Sequence, residues 1–381
     1  MVKEVRVALI GAGFIGRTHA LAINAVNQIF SDLPLRYQGK ILCDVDEGRG
    51  RKIADDFGFA SFTRDWRTAV DEAEVVVVAV PSLHHATIVE RALSQGKPVL
   101  CEKPVGLSSA EAHALAILAE KGRVVTGAGF TYLSAPAIRH AKQVLDSGML
   151  GRPTHFYGRH FEDYLSDPQA PFSWRLDASI AGRCGALGDL GCHIVSIARY
   201  LLGPISSLSG SIKTVHEQRR LQGGEGSNAL RAVENEDYAS AILRFDRGVP
   251  GIIEVSRIAN GRKMDVAFEV NCENGSIRVE GERLNELQVY VKDKQNKNNG
   301  FRRILMGPEH PEYGNFLPAP GHGLGFNDLK TIEHRAFLRA ISGEESECVS
   351  LMTAAKIGKV CEEIIRSSDT GTWSTDPERF E

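Results

Sequence analysis

Residues 5–16 of the chain read V-R-V-A-L-I-G-A-G-F-I-G. A run of aliphatic residues stops at Gly11, glycines recur at Gly13 and Gly16, and a segment able to form a helix follows over 17–30. This order of strand, glycine turn and helix is the context of a dinucleotide-binding fingerprint, in which the helix start attracts a pyrophosphate. The alternative is an ordinary glycine-rich turn, since glycine accounts for 38 of the 381 residues.

The composition is that of a globular chain long enough for two domains, with 43% hydrophobic and 24% charged residues. Lys and Arg number 45 against 48 Asp and Glu, so nothing favours nucleic acid or an anionic membrane as a partner. The seven cysteines are scattered and form no C-x-x-C pair, which suits a reducing compartment. The longest apolar run, 75–80, is too short to cross a bilayer, and no signal peptide is apparent. We therefore expect a cytoplasmic protein.

Asp44 follows the short apolar run 41–43, which is predicted to be the second strand. An acidic residue at this point accepts the ribose hydroxyls of NAD and repels the 2′-phosphate of NADP. The predicted cofactor is therefore NAD, held by Gly11, Gly13, Phe14, Ile15, Gly16 and Asp44. The alternative for Asp44 is a turn residue at the end of a strand.

The chain is predicted to have an α/β fold with two domains. Strand and helix patterns alternate over 1–127, and the continuous apolar strand 75–80 suits a parallel sheet covered on both faces, so a doubly wound Rossmann domain is expected. Strands dominate 128–369 and several alternate apolar with polar residues, which predicts an α/β domain with a large, open, mainly antiparallel sheet. The last helix, 350–366, is a candidate to return to the first domain, and 370–381 forms a C-terminal tail.

Several local predictions follow from the same patterns. Residues 31–39 are interpreted as a polar connection, and Trp66 as part of another connection. A single helix is predicted over 189–202. The stretches 218–228 and 292–300 are polar and are predicted to be loops.

Three separated stretches carry residues suited to hydride transfer. Glu102-Lys103-Pro104 ends a parallel strand, where ligands bind in open α/β sheets. Asp189 and His193 are four residues apart, hence on one helical face, and Trp174-Arg175 precedes them in a turn-rich region. Oxidation of a hydroxyl needs a base for its proton and donors for the developing oxygen charge. His193 can be the base, Asp189 can orient it or bind a neighbouring hydroxyl, and Lys103 can polarise the oxygen.

Other interpretations of these residues remain open. Asp189 and His193 could be an ordinary pair on a helix surface, and Lys103 a solvated lysine. A metal site is not predicted, because no third ligand stands at matching spacing. Cys184 and Cys192 lie nearby, and we interpret both as small packing residues because nothing marks either as activated.

The combination of motifs resembles the Gfo/Idh/MocA oxidoreductases. The motifs are G-A-G-F-I-G, Asp44, A-V-P-S-L-H-H at 79–85, E-K-P at 102–104 and G-D-L-G-C-H at 188–193. The resemblance covers nearly the whole chain. It implies a Rossmann domain followed by an α/β domain whose open sheet serves oligomer contacts, and we expect a homo-oligomer, with a tetramer favoured.

The resemblance also implies roles for individual residues. It makes Lys103, Asp189 and His193 the catalytic set, with His193 as the acid/base. It places Pro81, His85, Glu102 and also Lys103 along the cofactor. One position departs from the family, which often has an aspartate where this chain has Ser196.

The substrate is expected to bind largely through the second domain. The irregular stretch 307–327 resembles family members acting on inositols and free sugars, and His322 within it is predicted to reach a substrate, in its own or a neighbouring subunit. A loop histidine facing water is an equal alternative. Trp174 and Arg175 are the other predicted substrate residues, because a guanidinium offers several fixed donors for vicinal hydroxyls.

The predicted function is NAD-dependent oxidation of one secondary hydroxyl of a cyclic polyol, with scyllo- or myo-inositol favoured. A first alternative is a dehydrogenase of a pyranose sugar, of the glucose type or an anhydrosugar. A second is an NADPH-linked reductase of keto sugars. A more distant alternative is a non-catalytic NAD-binding sensor, because the fold alone does not define an activity.

Overall fold

A computed structural model describes residues 3–221, 229–293, 295, 297 and 299–380 of the chain. Strands and helices alternate in its first part: β1 (Lys3–Ile10), α1 (Phe14–Ile29), β2 (Leu35–Cys43), α2 (Glu47–Asp56), β3 (Ser61–Thr63), α3 (Trp66–Glu72), β4 (Val75–Val78), α4 (His85–Ser94), β5 (Val99–Cys101), α5 (Ser109–Gly122) and β6 (Thr126–Ala128).

The strands of this part form one parallel sheet in the order β3-β2-β1-β4-β5-β6. Its centre is the pair β1 and β4, where Val7 lies opposite Val75 and Ile10 opposite Val78, all almost completely buried. An uninterrupted apolar sequence is therefore explained by burial on both faces of the sheet. The strand order reverses between β1 and β4, and a crevice for ligands forms at the carboxyl ends of the strands at such a point.

The second part is richer in strands. Its elements are α6 (Pro136–Asp146), β7 (Pro153–Phe161), α7 (Ala178–Ala181), α8 (Cys192–Leu202), β8 (Ile205–Lys213), β9 (Gln218–Arg220), β10 (Leu230–Ala232), β11 (Tyr238–Phe245), β12 (Pro250–Ser256), β13 (Asp265–Cys272), β14 (Gly275–Val279), β15 (Glu286–Val291), β16 (Arg302–Leu305), α9 (Tyr313–Phe316), α10 (Phe326–Ile341), α11 (Leu351–Thr370) and β17 (Ser374–Thr375).

The large sheet has the order β16-β15-β14-β13-β7-β12-β11-β8-β17 among the described residues. Only the pairing of β7 with β12 is parallel in this part of the chain. Side chains along β11 alternate, with Ala241 and Leu243 buried and Ile242 exposed. The predicted α/β fold, with a Rossmann sheet and a mainly antiparallel sheet, is confirmed.

The chain divides into two compact units that differ from the predicted domains. The first unit comprises Met1–Ser134 and Leu324–Ala355, and the second comprises Ala135–Gly323 and Lys356–Glu381. Helix α10 thus belongs with the Rossmann sheet, where it packs on α1. Most of α11 belongs to the second unit, and only its first turn clusters with the first.

The last residues also have a defined place in the second unit. Strand β17, within the predicted tail 370–381, pairs with β8 at the sheet edge. Glu378 accepts hydrogen bonds from Arg199 Nε at 2.6 Å and from the Ile205 amide at 2.9 Å. The tail is therefore anchored by main-chain pairing and a carboxylate.

Two local predictions in the first unit, the connection 31–39 and the connection with Trp66, are wrong. Residues 35–39 belong to β2 rather than to a connection, because Leu35 and Tyr37 are buried while the intervening polar residues face outward. The sequence alone did not reveal this alternation, because Pro34 directly precedes it and the continuous apolar run 41–43 follows it. Trp66 begins α3, whose N-cap is the Asp65 carboxylate, and the short strand β3 precedes it.

The other local predictions concern the second unit. The predicted helix 189–202 begins with a π turn over Leu187–Gly191, and regular α-helix starts only at Cys192. The predicted loop 218–228 opens with strand β9. Residues 222–228, and residues 294, 296 and 298 of the second predicted loop, lie outside the described part of the chain.

The packing of α11 on the large sheet makes a testable prediction. A Cβ at Gly210 of β8 would overlap the carbonyl oxygen of Ile364 on α11. We expect Gly210→Ala to reduce the free energy of unfolding by about 1 to 3 kcal/mol, because the helix must move away from the strand. Urea unfolding measures the change, with Ser211→Ala, at an exposed neighbouring position, as the control. Equal stability of the two variants would contradict this packing.

Candidate active site

The glycine turn after β1 has two positions that only glycine can occupy. Gly11 has a φ of +105°, and a Cβ there would overlap the carbonyl oxygen of Ala79 at the end of β4. A Cβ at Gly16 would overlap the carbonyl oxygen of Gly11. The turn is therefore tight, and the start of α1 lies directly against the carboxyl ends of the central strands.

The N-terminus of α1 is open to a ligand. Gly13 is its N-cap, no side chain caps it, and a Cβ there would have no neighbour within 4 Å. The first turn holds no acidic residue, so its N–H groups and the helix dipole favour an anion. Phe14 is 81% exposed and stacks on Phe326 with ring centroids 6.4 Å apart, and Ile15 is half-buried. These features fit the pyrophosphate of a dinucleotide.

Asp44 lies at the end of β2 with its carboxylate turned toward the glycine turn. Its Oδ2 accepts a hydrogen bond from the Ala12 amide at 2.6 Å. Its Oδ1 accepts from the Asp46 amide at 2.8 Å and from Arg49 Nη2 at 2.7 Å. A carboxylate can accept about four hydrogen bonds, so capacity remains for a ribose hydroxyl. The position is the one predicted for recognition of the adenosine ribose.

Pro81 and His85 follow β4 but differ in exposure. Pro81 is exposed, whereas His85 is almost completely buried. The His85 ring nitrogens lie 2.9 Å from the Pro104 oxygen and 2.7 Å from the Val80 oxygen. Burial lowers the pKa of His85, because a charged imidazole would lose its hydration. The His85 ring thus contacts the main chain after both β4 and β5, and the places of Pro81 and His85 along the cofactor stay predictions.

Glu102 and Lys103 follow β5, with a cis peptide bond between Lys103 and Pro104. The buried Glu102 carboxylate contacts Lys330 Nζ at 2.6 Å and His19 Nε2 at 3.0 Å. Although burial opposes ionisation, the charge of Lys330 and the hydrogen bond from His19 hold the pKa of Glu102 well below its usual range. The Glu102 carboxylate is thus paired within the protein interior, its place along the cofactor stays a prediction, and Lys103 is half-buried.

In the second unit, the structure brings together three of the predicted site residues. Arg175 Nε lies 3.4 Å from Asp189 Oδ2, and the Arg175 guanidinium stacks on the Trp174 ring at 4.6 Å. Tyr164, which the sequence did not single out, donates its hydroxyl hydrogen to the same Asp189 oxygen at 2.7 Å. Tyr164 and Trp174 are partly exposed. The cluster combines aromatic surface with hydrogen-bond donors and a hydrogen-bond acceptor. This combination is typical of a surface that binds sugars.

His193 lies in the first turn of α8 and is buried. Its ring centroid is 5.8 Å from that of His160, whose Nδ1 lies 3.0 Å from the Leu190 oxygen. The backbone that joins Asp189 to His193 is a π turn followed by the first turn of α8, and not the continuous α-helix that was predicted. Short π segments inside helices are frequent at functional sites.

Glu236 is a second residue that the sequence did not reveal. Its buried carboxylate accepts the Gly185 amide at 2.9 Å and the Leu187 amide at 2.7 Å, so it holds the turn that leads into Asp189. Burial raises the pKa of Glu236, and the two amide hydrogen bonds oppose this rise. The neighbouring Asn235 donates from Nδ2 to the Arg175 oxygen at 2.9 Å. The polar run 234–237 before β11 reads as an ordinary loop in the sequence, so no signal indicated this role.

His322 lies in the irregular stretch before α10. Its amide donates to the hydroxyl oxygen of the fully buried Tyr313 at 3.1 Å, which fixes the main chain, while its imidazole is exposed and lies 3.2 Å from the Pro320 oxygen. A contact of His322 with substrate stays a prediction.

Other kinds of site receive no support from the described residues. Within them, no group of three or more His, Cys, Asp or Glu side chains could hold a metal ion. Burial raises the pKa of the Cys184 thiol well above its usual value, so it is not an activated nucleophile. The described part of the chain also has no helix that is long and apolar enough to span a membrane.

A Rossmann sheet whose glycine turn and Asp44 fit a nicotinamide dinucleotide defines a nicotinamide-dependent oxidoreductase. Residues 5–130 match the oxidoreductase family with an NAD-binding Rossmann fold, and residues 138–278 match the GFO/IDH/MocA C-terminal domain. The chain belongs to the Gfo/Idh/MocA oxidoreductase family, and it is an NAD-dependent dehydrogenase. The predictions of family and cofactor are confirmed.

Individual relatives differ in how much of the chain they match. Levoglucosan dehydrogenase of Pseudarthrobacter phenanthrenivorans is 33% identical over 389 residues, covering 99% of both chains. A solved structure of levoglucosan dehydrogenase in complex with NADH and levoglucosan has a TM-score of 0.93 at 33% identity, over 98% of this chain and 100% of that one. The NAD⁺-dependent scyllo-inositol 2-dehydrogenase of Bacillus subtilis is 28% identical over 73% of this chain and 74% of its own length.

The pairing of Asp44 with Arg49 predicts how the cofactor preference can be changed. We expect Asp44→Ser to shift the ratio of NADPH to NADH affinity by roughly 100-fold in favour of NADPH, because it removes a repelling charge and releases Arg49 for a phosphate. Fluorescence titration with both dinucleotides measures the ratio without any substrate.

The matched control is Asp46→Ser, which removes a neighbouring carboxylate but keeps a side chain able to cap α2. It should leave the ratio within about twofold of that of the native protein. A similar shift in both variants would mean that general charge, and not the position of Asp44, sets the preference.

Proposed function

We propose that the protein oxidises a secondary hydroxyl of a pyranose-type sugar to the ketone, with NAD as the hydride acceptor and an anhydrosugar such as levoglucosan as the favoured substrate. The observation that carries the proposal is the cluster of Tyr164, Arg175 and Asp189, of which Asp189 lies on the π turn that leads into His193. The full-length similarity to levoglucosan dehydrogenase supports the substrate class.

In this reaction, NAD held by the glycine turn and Asp44 supplies the acceptor for the hydride from the carbinol carbon. His193 takes the hydroxyl proton, and the electron pair of the O–H bond forms the second bond of the carbonyl group. The hydrogen on the carbinol carbon leaves at the same time as a hydride, with the electron pair of the C–H bond. Lys103 donates a hydrogen bond to the same oxygen and stabilises its developing negative charge. General-base catalysis of this kind contributes about 10² to 10⁴ in rate.

Asp189 serves to orient the substrate hydroxyls. Its Oδ2 is held by the Tyr164 hydroxyl and lies beside the Arg175 guanidinium, so the carboxylate has one fixed direction. Trp174, stacked on Arg175, adds an apolar surface for the C–H face of a ring. Glu236 keeps the turn before Asp189 in place through two amide hydrogen bonds.

An inositol is the second candidate substrate. A cyclic polyol presents the same vicinal hydroxyls to the Arg175 and Asp189 pair, and the scyllo-inositol dehydrogenase of B. subtilis is a more distant relative. A keto-sugar reductase using NADPH is disfavoured by the Asp44 carboxylate. A non-catalytic sensor is disfavoured by the presence of Lys103, Asp189 and His193 together.

We further propose that the protein is a homo-oligomer, with a tetramer favoured, assembled through the open face of the large sheet. Ile242 and Ile252 lie opposite each other in the register of β11 and β12, and both are about half exposed. Beside them, the Tyr157 and Tyr238 hydroxyls both donate to Glu254 at 2.9 Å. Exposed aliphatic and aromatic side chains on a flat face are typical of subunit contacts. A cytoplasmic location stays a prediction.

A substrate screen tests the proposed activity. The purified protein is incubated with NAD and with levoglucosan, glucose, or myo- or scyllo-inositol, and NADH production is followed by absorbance. We expect the highest kcat/KM with levoglucosan, because the similarity to levoglucosan dehydrogenase covers 99% of this chain. A higher kcat/KM with an inositol would favour the second candidate substrate. No turnover with any of these compounds would contradict the proposed activity.

Substitution of the predicted catalytic residues provides a separate test. Lys103→Ala and His193→Ala should each lower kcat by at least about 100-fold, because the polarising donor or the base is lost. NADH affinity, measured by fluorescence, should remain within about threefold, since neither residue binds the phosphates. His155→Ala, at an exposed histidine of β7, is the control and should keep full turnover. Near-native kcat in either catalytic variant would show that its role is misassigned.

A further inference from the structure

Lys330 is a charged residue in an unusual place, because its side chain is completely buried on α10. Its Nζ lies 2.6 Å from Glu102 Oε1 and 2.6 Å from Glu333 Oε2. A buried ammonium group costs free energy unless close carboxylates compensate its charge. Here two carboxylates do so, and one of them is adjacent in sequence to Lys103.

A chain of hydrogen bonds reaches Glu102 from the other side. His19 Nε2 lies 3.0 Å from Glu102 Oε1, His334 Nε2 lies 2.8 Å from His19 Nδ1, and the Tyr37 hydroxyl lies 3.3 Å from His334 Nδ1. Burial lowers the pKa of both imidazoles, that of His19 to about 4, so both are neutral. A neutral imidazole has one donor and one acceptor. All three hydrogen bonds can then form, with Tyr37 donating to His334, His334 to His19, and His19 to Glu102.

The Glu102 carboxylate in turn fixes the main chain of its neighbour. Its Oε2 accepts the Lys103 amide at 3.3 Å, and the Glu102 amide donates to the Val78 oxygen at 2.9 Å. On the other side of Lys103, the Pro104 oxygen is 2.9 Å from His85 Nδ1. The main chain on both sides of Lys103 is therefore held by buried side chains, by the Glu102 carboxylate on one side and by His85 on the other. The position of the Glu102 carboxylate depends in turn on Lys330.

We propose that Lys330 is a positioning residue for the dehydrogenase reaction, which holds the Glu102 carboxylate and thereby the backbone of Lys103. This inference rests on the proposed role of Lys103 as the donor to the reacting oxygen. Lys330 itself has no role at the substrate. Its charge keeps Glu102 ionised and in place, and the histidine chain sets the direction of that carboxylate.

A double-mutant cycle tests whether Lys330 acts through Glu102. The variants are Lys330→Met, Glu102→Gln and the double variant, and the first readout is hydrogen exchange of the peptide that contains Lys103. In Lys330→Met we expect the Lys103 amide to exchange about tenfold faster, because its acceptor is no longer held. In the Glu102→Gln background, the same substitution should change the rate by less than about twofold.

Steady-state kinetics give the second readout. Lys330→Met should lower kcat about tenfold or more and leave KM for the sugar and the NADH affinity within about twofold, because only the donor to the transition state is displaced. Equal losses of kcat from Lys330→Met in the native and Glu102→Gln backgrounds would overturn the proposal, as would unchanged amide exchange at Lys103.

Glu333→Gln is the matched control, since it removes the other carboxylate next to Lys330 but keeps an oxygen acceptor, and it should leave the exchange of the Lys103 amide within about twofold. If Lys330→Met does not fold, Lys330→Gln, which removes the charge but keeps a buried hydrogen-bond donor, takes its place: faster exchange at Lys103 supports the proposal and native exchange overturns it. Hydrogen exchange needs no substrate. A failure of the proposed activity is therefore distinguishable from a failure of this inference.

Discussion

The hydrogen bond from the Ala12 amide to the Asp44 carboxylate is the interaction on which the cofactor site depends. It joins the glycine turn after β1 to the end of β2 at 2.6 Å. Without it, the turn that exposes the N–H groups of α1 would have no fixed relation to the Asp44 carboxylate. The predicted pyrophosphate site and the predicted ribose acceptor are therefore joined by one side chain.

Buried carboxylates hold the main chain next to the proposed catalytic residues in both units. Glu102 accepts the Lys103 amide, and Glu236 accepts the amides of Gly185 and Leu187 before Asp189. A carboxylate in a low-dielectric interior binds amides strongly, but only if its own charge is compensated or its amide partners are sufficient. Glu102 has Lys330 and His19 for this purpose, whereas Glu236 relies mainly on main-chain amides. Rigid support of this kind keeps catalytic groups within a narrow range of positions.

The sequence predicted the parts of the structure that depend on local pattern. The apolar run of β4 and the three glycines after β1 indicated the Rossmann sheet, and Asp44 indicated NAD. The parts that failed depend on distant contacts: the polar half of β2 becomes a strand only by pairing with β1, and the π turn before α8 is held by Glu236. Tyr164 carried no motif at all. No sequence motif marks Lys330, because only the fold reveals that its helix face is turned inward.

The first unit is built from two segments of chain that are separated by 189 residues of the second, from Ala135 to Gly323. Its buried Glu102 and His19 have their partners, Lys330 and His334, on the later segment. During synthesis on the ribosome, the strands of the Rossmann sheet are therefore made early. The buried charge of Glu102 is compensated only after the later segment with Lys330 has been made. Domains generally form as units during synthesis, with the N-terminal one first. In this protein the first unit is completed only after the whole intervening segment Ala135–Gly323 has been made.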